Sequence, residues 1–260
     1  MSKHSKWAKI KRKKGVADVK RGAAFTKLTN NVTMAVKEGG GGDPSMNFKL
    51  RLAVDAARAQ NVPKENIERA IQRGLGASDS AQLEQLVFEG YGPGKIAVIV
   101  EVTTDSRNRS VSELKHVFSA SGGAMGSQGS VAWQFEKKGV VRIANSSSSW
   151  LDQDQTTKRK SDSGQARMTN EIELQLIDSG ADDIKQEDEI ITVLTQPEHL
   201  QRLQSAVEKL KLAVDEAALE WIAKESLTIT DPVLQEQVAE FLNELEERED
   251  VTGVYTNASL

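Results

Sequence analysis

Ten cations stand in the first 27 residues: Lys3, Lys6, Lys9, Lys11, Arg12, Lys13, Lys14, Lys20, Arg21 and Lys27. A single carboxylate, Asp18, lies among them, and His4, Trp7 and Ile10 recur every three positions between the first lysines. Such side chains suit a polyanion. Ammonium and guanidinium groups neutralise phosphates and release counterions, and an aromatic ring stacks on an unpaired base. The same composition describes a solvated tail or a localisation signal, and Trp7 can equally dock onto the domain that follows. The apolar interleaving favours a binding arm. It makes the ten cations, with His4 and Trp7, the candidate nucleic-acid contacts.

A second candidate is GGAMGSQGS at 122–130. Its glycines let a backbone approach a ligand closely, although an ordinary flexible turn shares this composition. The candidate residues are Gly122, Gly123, Met125, Gly126, Ser127, Gln128 and Gly129.

Catalytic spacings are missing. The chain has no cysteine, which excludes disulfides and thiol chemistry. His4, His116 and His199 are far apart and lack the spacing of metal ligands on one helix. The glycine-rich stretch Gly90–Ile96 has too few residues between its outer glycines to be a phosphate loop. Pro93 removes an amide donor, and Ile96 replaces the metal-binding hydroxyl. Asp182-Asp183 and Glu246-Glu247 sit in polar, acidic stretches and read as solvated faces. The expectation is no enzyme, no metal site and no cofactor.

The net charge of −4 hides an asymmetry. Residues 1–77 hold 17 Lys/Arg against 6 Asp/Glu, a balance of +11. The remainder holds 17 against 32, a balance of −15. One end attracts an anion and the other does not. No apolar run reaches membrane-spanning length, and no apolar segment follows the charged start as in a secretory signal. A cytoplasmic protein is expected.

Three helices should position the arm. Phe25, Leu28, Val32, Ala35 and Val36 have helical spacing, closed by the Gly39–Gly42 run. A second helix carries Leu50, Val54 and Ala57. A third begins at Pro63, carries Ile67, Ala70 and Ile71, and ends at Gly74. From residue 78 the pattern becomes mixed. Strands are expected at Ile96–Val102 and Val131–Phe135, with a helix through Val111, Leu114, Val117 and Phe118 between them. A further strand covers Val140–Ile143, and residues 145–167 read as a polar mobile loop. A short helix follows at Ile172–Ile177, a strand at Ile190–Leu194 and a helix from Leu200 to Leu210. Ala217–Ile222 and Leu227–Ile229 read as strands, although Trp221–Ser226 could equally continue a helix. A helix over Asp231–Arg248 and a strand at Val251–Tyr255 close the chain.

Four long motifs resemble the YebC/PmpR family: HSKWAKIKRKKGVADVKRGAAFTKL at 4–28, NVPKENIERAIQRG at 61–74, the segment from Phe88 to Gly139, and SGADDI at 179–184. The resemblance covers nearly the whole chain. It implies an α+β protein of three domains: an N-terminal helical domain at 1–77, a middle α+β domain at 78–137 completed by 226–260, and a third α+β domain at 138–225. It implies a non-enzymatic regulator of gene expression. Some members are described as DNA-binding transcriptional regulators. Others act on the ribosome as translation factors that help difficult nascent chains. The implied partner is ribosomal or transfer RNA, or promoter DNA. A protein-interaction scaffold whose acidic part is the working end remains a different class of reading. Three features depart from the family pattern. Lys95 stands where a small residue is common, residues 145–167 are longer and richer in serine, and Thr252-Gly253 replaces Val-Gln.

Overall fold

The computed structural model describes residues 18–76, 83–144, 170–187 and 190–260. The chain forms two compact units, one built from residues up to 136 and from 221 onward, the other from residues 137–220.

In the first unit, helices α1 (Asp18–Gly39), α2 (Phe48–Ala59) and α3 (Lys64–Gly74) pack as their spacing predicts. Val32 and Val36 of α1 meet Leu50 and Val54 of α2 and Ile67 and Ala70 of α3, with Phe25 and Leu28 at the margin. α1 stops at Gly39, and Gly40 follows with φ +74. The α1–α2 corner is held by one side chain, Asn47, which is buried. Its Oδ1 accepts the Leu50 N–H at 3.0 Å, capping α2. Its Nδ2 donates to the carbonyls of Ala35 and Gly41, both at 2.9 Å. A Cβ on Gly39 would lie 2.1 Å from that Oδ1, so only glycine fits there. Arg73 of α3 ties back to α1 through Thr33 Oγ1 and Asn30 Oδ1.

The same unit holds a four-stranded sheet in the order β3-β1-β2-β9. The strands are β1 (Glu84–Tyr91), β2 (Ala97–Thr104), β3 (Ala124–Met125) and β9 (Val251–Thr256), and every neighbouring pair is antiparallel. β2 is central and buried on both faces, which explains its continuous apolar run. Val98, Val100 and Val102 face helices α4 (Arg107–Ala120) and α7 (Pro232–Glu247). There Phe118 meets Phe241 edge-on, with centroids 5.1 Å apart. Ala97 and Ile99 face Val131, Phe135 and Ala223 on the other side. Asp250 locks the start of β9 to the β2–α4 corner. It accepts hydrogen bonds from Thr104 Oγ1 at 2.9 Å, Ser110 Oγ at 2.6 Å and Arg109 Nη2 at 3.0 Å. This last hydrogen bond and the Asp250 charge hold the Arg109 pKa above its ordinary value. A small parallel pair, β8 (Leu227–Thr228) with β10 (Ala258–Ser259), completes the unit.

Among the described residues, the second unit is a sheet in the order β5-β6-β4-β7 with two α-helices. It comprises β4 (Phe135–Ala144), α5 (Asn170–Asp178), β5 (Ala181–Glu187), β6 (Ile190–Thr195), α6 (Leu200–Lys209) and β7 (Val214–Ala223). The chain enters this unit within β4 and leaves it within β7. Ile143, Leu176, Ile191, Leu200 and Leu203 are fully buried. Gly139 lets α6 approach, since a Cβ there would lie 2.8 Å from Thr195 and 2.9 Å from Leu200. Burial lowers the pKa of Arg142, but Glu220 and Glu216 more than offset this and hold it above its ordinary value.

Several elements differ from expectation. Residues 132–134 form a 3-10 turn rather than a strand, and β4 starts at Phe135. The cause is that the Val131 and Ala132 amides donate to a carboxylate, not to a neighbouring strand. β1 and β5 were not anticipated. β1 reads EQLVFEGY and β5 reads ADDIKQE, neither with clean apolar alternation. Asp182 is exposed, as its polar, acidic setting predicts, and it also accepts Lys138 Nζ at 2.8 Å across the sheet. Trp221–Ala223 continue β7, so the helical alternative for this stretch is overturned. Residues 145–167 lie outside the described residues. The Thr252-Gly253 departure has a local reading. A Cβ on Gly253 would lie 2.7 Å from the Tyr255 hydroxyl, which donates to Glu101 at 3.3 Å.

Replacing Asn47 by alanine removes a cap and leaves two carbonyls without their donor. Asn47→Ala is expected to lower the unfolding free energy by about 1–3 kcal/mol, read from urea denaturation of the full chain.

Candidate nucleic-acid interface

Lys3, His4, Lys6, Trp7, Lys9, Lys11, Arg12, Lys13 and Lys14 lie outside the described residues. Lys20 and Arg21 fall on α1, with side chains outside the described set. Lys27 is described, and its Nζ donates to the Glu246 carbonyl in the last turn of α7. A cation at the C-terminal end of a helix is favoured by the helix dipole. The one candidate cation with a described side chain therefore ties α1 to α7.

The glycine loop is fully described, and it is built rather than slack. It leaves α4 through Gly122, at φ +74, and pairs briefly with β1, Met125 opposite Gly90 and Ala124 opposite Tyr91. Gly123 passes so close to β1 that a Cβ would lie 2.4 Å from the Tyr91 carbonyl oxygen. Met125 packs against the core, whereas Gly126, Ser127, Gln128 and Gly129 are exposed. A Cβ on Gly126 would lie 2.2 Å from Ser130 Oγ, a buried hydroxyl with no hydrogen-bond partner among the described residues.

The residue that holds this loop is one that spacing and composition did not single out. Glu89, on β1, is 5% exposed. Its Oε1 accepts the Gly129 N–H at 2.7 Å, and its Oε2 accepts those of Val131 and Ala132, both at 2.8 Å. Its backbone carbonyl accepts the Gly126 N–H at 2.8 Å. Burial pushes the Glu89 carboxyl up, and the three amides outweigh burial and hold it below the ordinary carboxylate range. The available signal was a lone carboxylate in an apolar, glycine-rich run, FEGYG.

Gly90–Ile96 forms the β1–β2 hairpin, with a 3-10 turn at Pro93–Lys95. No helix N-terminus follows it, so it lacks the geometry of a phosphate cradle. Lys95 has φ +60, a left-handed conformation that favours glycine, a physical reason for the small residue that the family resemblance leads one to expect here. His116 is exposed on α4, and His199 lies in a turn before α6. Among the described residues no three His, Cys, Asp or Glu side chains group as metal ligands. Among the same residues no helix is long and apolar enough to cross a membrane.

A helical domain joined to α+β domains, with a glycine loop pinned on strand β1, defines the class of the protein by its fold. Comparison with known proteins gives its family. A family model of the TACO1/YebC protein N-terminal domain matches residues 5–77, and one of the TACO1/YebC second and third domain matches residues 83–258. The chain belongs to the TACO1/YebC family. A relative from Syntrophomonas wolfei, named a probable transcriptional regulatory protein, is 40% identical over 100% of this chain and 97% of its own length. One of the same name from Chloroflexus aurantiacus is 42% identical, over 100% and 96%. The crystal structure of a conserved hypothetical protein, Aq1575, from Aquifex aeolicus superposes with a TM-score of 0.79 at 35% identity, covering 95% of this chain and 93% of that one.

Because the Glu89 pKa is lowered on folding, its stabilisation is fully present above the ordinary carboxylate range. It is lost as the pH falls through the lowered folded value. Glu89→Gln removes the charge and turns an N–H₂ toward one of the three amides. It is expected to cost the loop about 1–3 kcal/mol. Hydrogen exchange at Gly129, Val131 and Ala132 should show lost protection in the variant at neutral pH, and in the wild type only on acidification.

Proposed function

We propose that the chain is a non-enzymatic, nucleic-acid-binding regulator of gene expression that engages ribosomal or transfer RNA in the cytoplasm. The basic arm supplies affinity, and the glycine loop reaches the functional RNA site. The observation that carries this reading is the charge split, +11 in residues 1–77 against −15 in the rest. A field of that sign concentrates phosphate at one end of the molecule without reading sequence. The loop supports it, because an exposed backbone segment with small side chains, held in one shape by Glu89, suits close approach to a folded RNA.

A second reading, promoter DNA binding, is favoured by the names of the relatives, which are called probable transcriptional regulatory proteins. It requires one protected DNA sequence above nonspecific background in a footprint.

Co-sedimentation with ribosomes under rising salt tests the RNA reading. Deleting residues 2–14 should weaken binding and flatten the slope of log affinity against log salt. The flattening should be about 0.7–0.9 for each phosphate that the arm no longer neutralises. Equal sedimentation of wild type and deletion would show that the arm supplies no affinity.

A further inference from the structure

Trp133 follows the glycine loop directly, in the 3-10 turn Ala132–Gln134, and is 67% exposed. A tryptophan normally buries most of its ring, so a solvent-facing one that is also held in place calls for a ligand. This one is held. Its Nε1–H donates to the Ser130 carbonyl at 3.1 Å, and the hydroxyl of Tyr91 donates to the same oxygen at 3.1 Å. Two aromatic side chains thus converge on one carbonyl at the end of the loop. The Trp133 carbonyl accepts Lys224 Nζ at 2.8 Å, which leaves that ammonium two further N–H donors. At the loop tip, the Ser127 and Gln128 N–H groups have no acceptor among the described residues.

We propose that Trp133, with Tyr91 beside it, is a stacking platform for an unpaired nucleobase of RNA, and that Lys224 and the loop-tip amides meet the adjoining phosphate. The inference rests on the nucleic-acid reading above and adds a base-binding site separate from the arm. Three features favour this occupant. The platform is fixed before binding, so little ordering is left to be done. Its hydrogen bonds run to Ser130 and Lys224 in a polar setting, whereas a protein hot spot sits in a surround that excludes water. An aromatic face next to a cation matches the division between base and phosphate in a single strand. A base inside a duplex offers no face to such a ring, so the site favours unpaired over paired RNA.

The test uses the full chain and two labelled probes of equal length, a single-stranded RNA and an RNA duplex, read by fluorescence anisotropy across a salt series. Trp133→Ala should weaken the single strand about 5- to 150-fold, the range expected for one stacked base. Duplex affinity and the salt slope should stay unchanged. Trp133→Phe, which keeps an aromatic face, should retain most of the single-strand affinity. Deletion of residues 2–14 should instead flatten the slope for both probes. If Trp133→Ala leaves single-strand affinity intact while the arm deletion weakens both probes, the stacking site is refuted and the RNA reading stands. That result would point to a protein surface as what the ring meets. Equal losses on both probes with Trp133→Ala would mark a structural role and refute the site as well. If the wild type binds neither probe, the RNA reading fails and the platform with it.

Discussion

A carboxylate buried in a protein has to be neutralised, protonated or surrounded by donors, because leaving it bare costs several kcal/mol. Glu89 is surrounded, and the donors are the backbone amides of Gly129 and of the segment that follows the glycine loop. Much of the local geometry follows from this. The amides of Val131 and Ala132 are committed to Glu89 and cannot enter a ladder, so the chain turns through Ala132–Gln134 before β4 begins. The turn carries Trp133 outward while Val131 and Phe135 point into the core. Gly129, at φ +85, brings its own N–H to the same carboxylate. A loop that composition alone would call flexible is therefore clamped along the edge of a sheet.

The two candidate contact regions work on different physical scales. On the proposed reading the arm would act through net charge, whose effect extends over a Debye length. On the same reading the glycine loop would act through shape, which matters only at contact and needs a rigid support. That support is the double-faced burial of β2, whose neighbour β1 carries Glu89 on one face while Leu86 and Phe88 pack against α4 and α7 on the other. Asp250 secures the corner between β2 and α4, and α4 leads straight into the loop. Lys27 joins the helical domain to the end of α7, so a side chain read as a phosphate contact also connects the two parts of the first unit.

Legibility followed the strength of the local signal. α1, α2, α3, α4 and α7 were readable because each repeats apolar residues at helical spacing along one face. β2 was readable because a strand buried on both faces is a continuous apolar run. β1 escaped because its burial is uneven along its length and a charged residue sits where it is most buried. β5 escaped because an edge strand can be polar when its charges pair across the sheet, as Asp182 does with Lys138. Ile172–Ile177 was recognised as a helix, yet only Leu176 of its apolar residues is fully buried.

Composition and spacing by themselves determined the helical domain, the mixed α+β remainder, the opposed charges of the two ends and the absence of any recognisable catalytic spacing. These properties are local or additive, so they survive without knowledge of contacts. Only the tertiary structure decided that Glu89 is the anchor of the glycine loop, that Val131–Gln134 is a turn, and that Trp133 faces solvent while Trp221 donates to Glu101 at 2.9 Å. The reason is that each depends on which donors reach one acceptor. Glu89 and its farthest partner are 43 residues apart in the chain, and no periodicity records such a meeting.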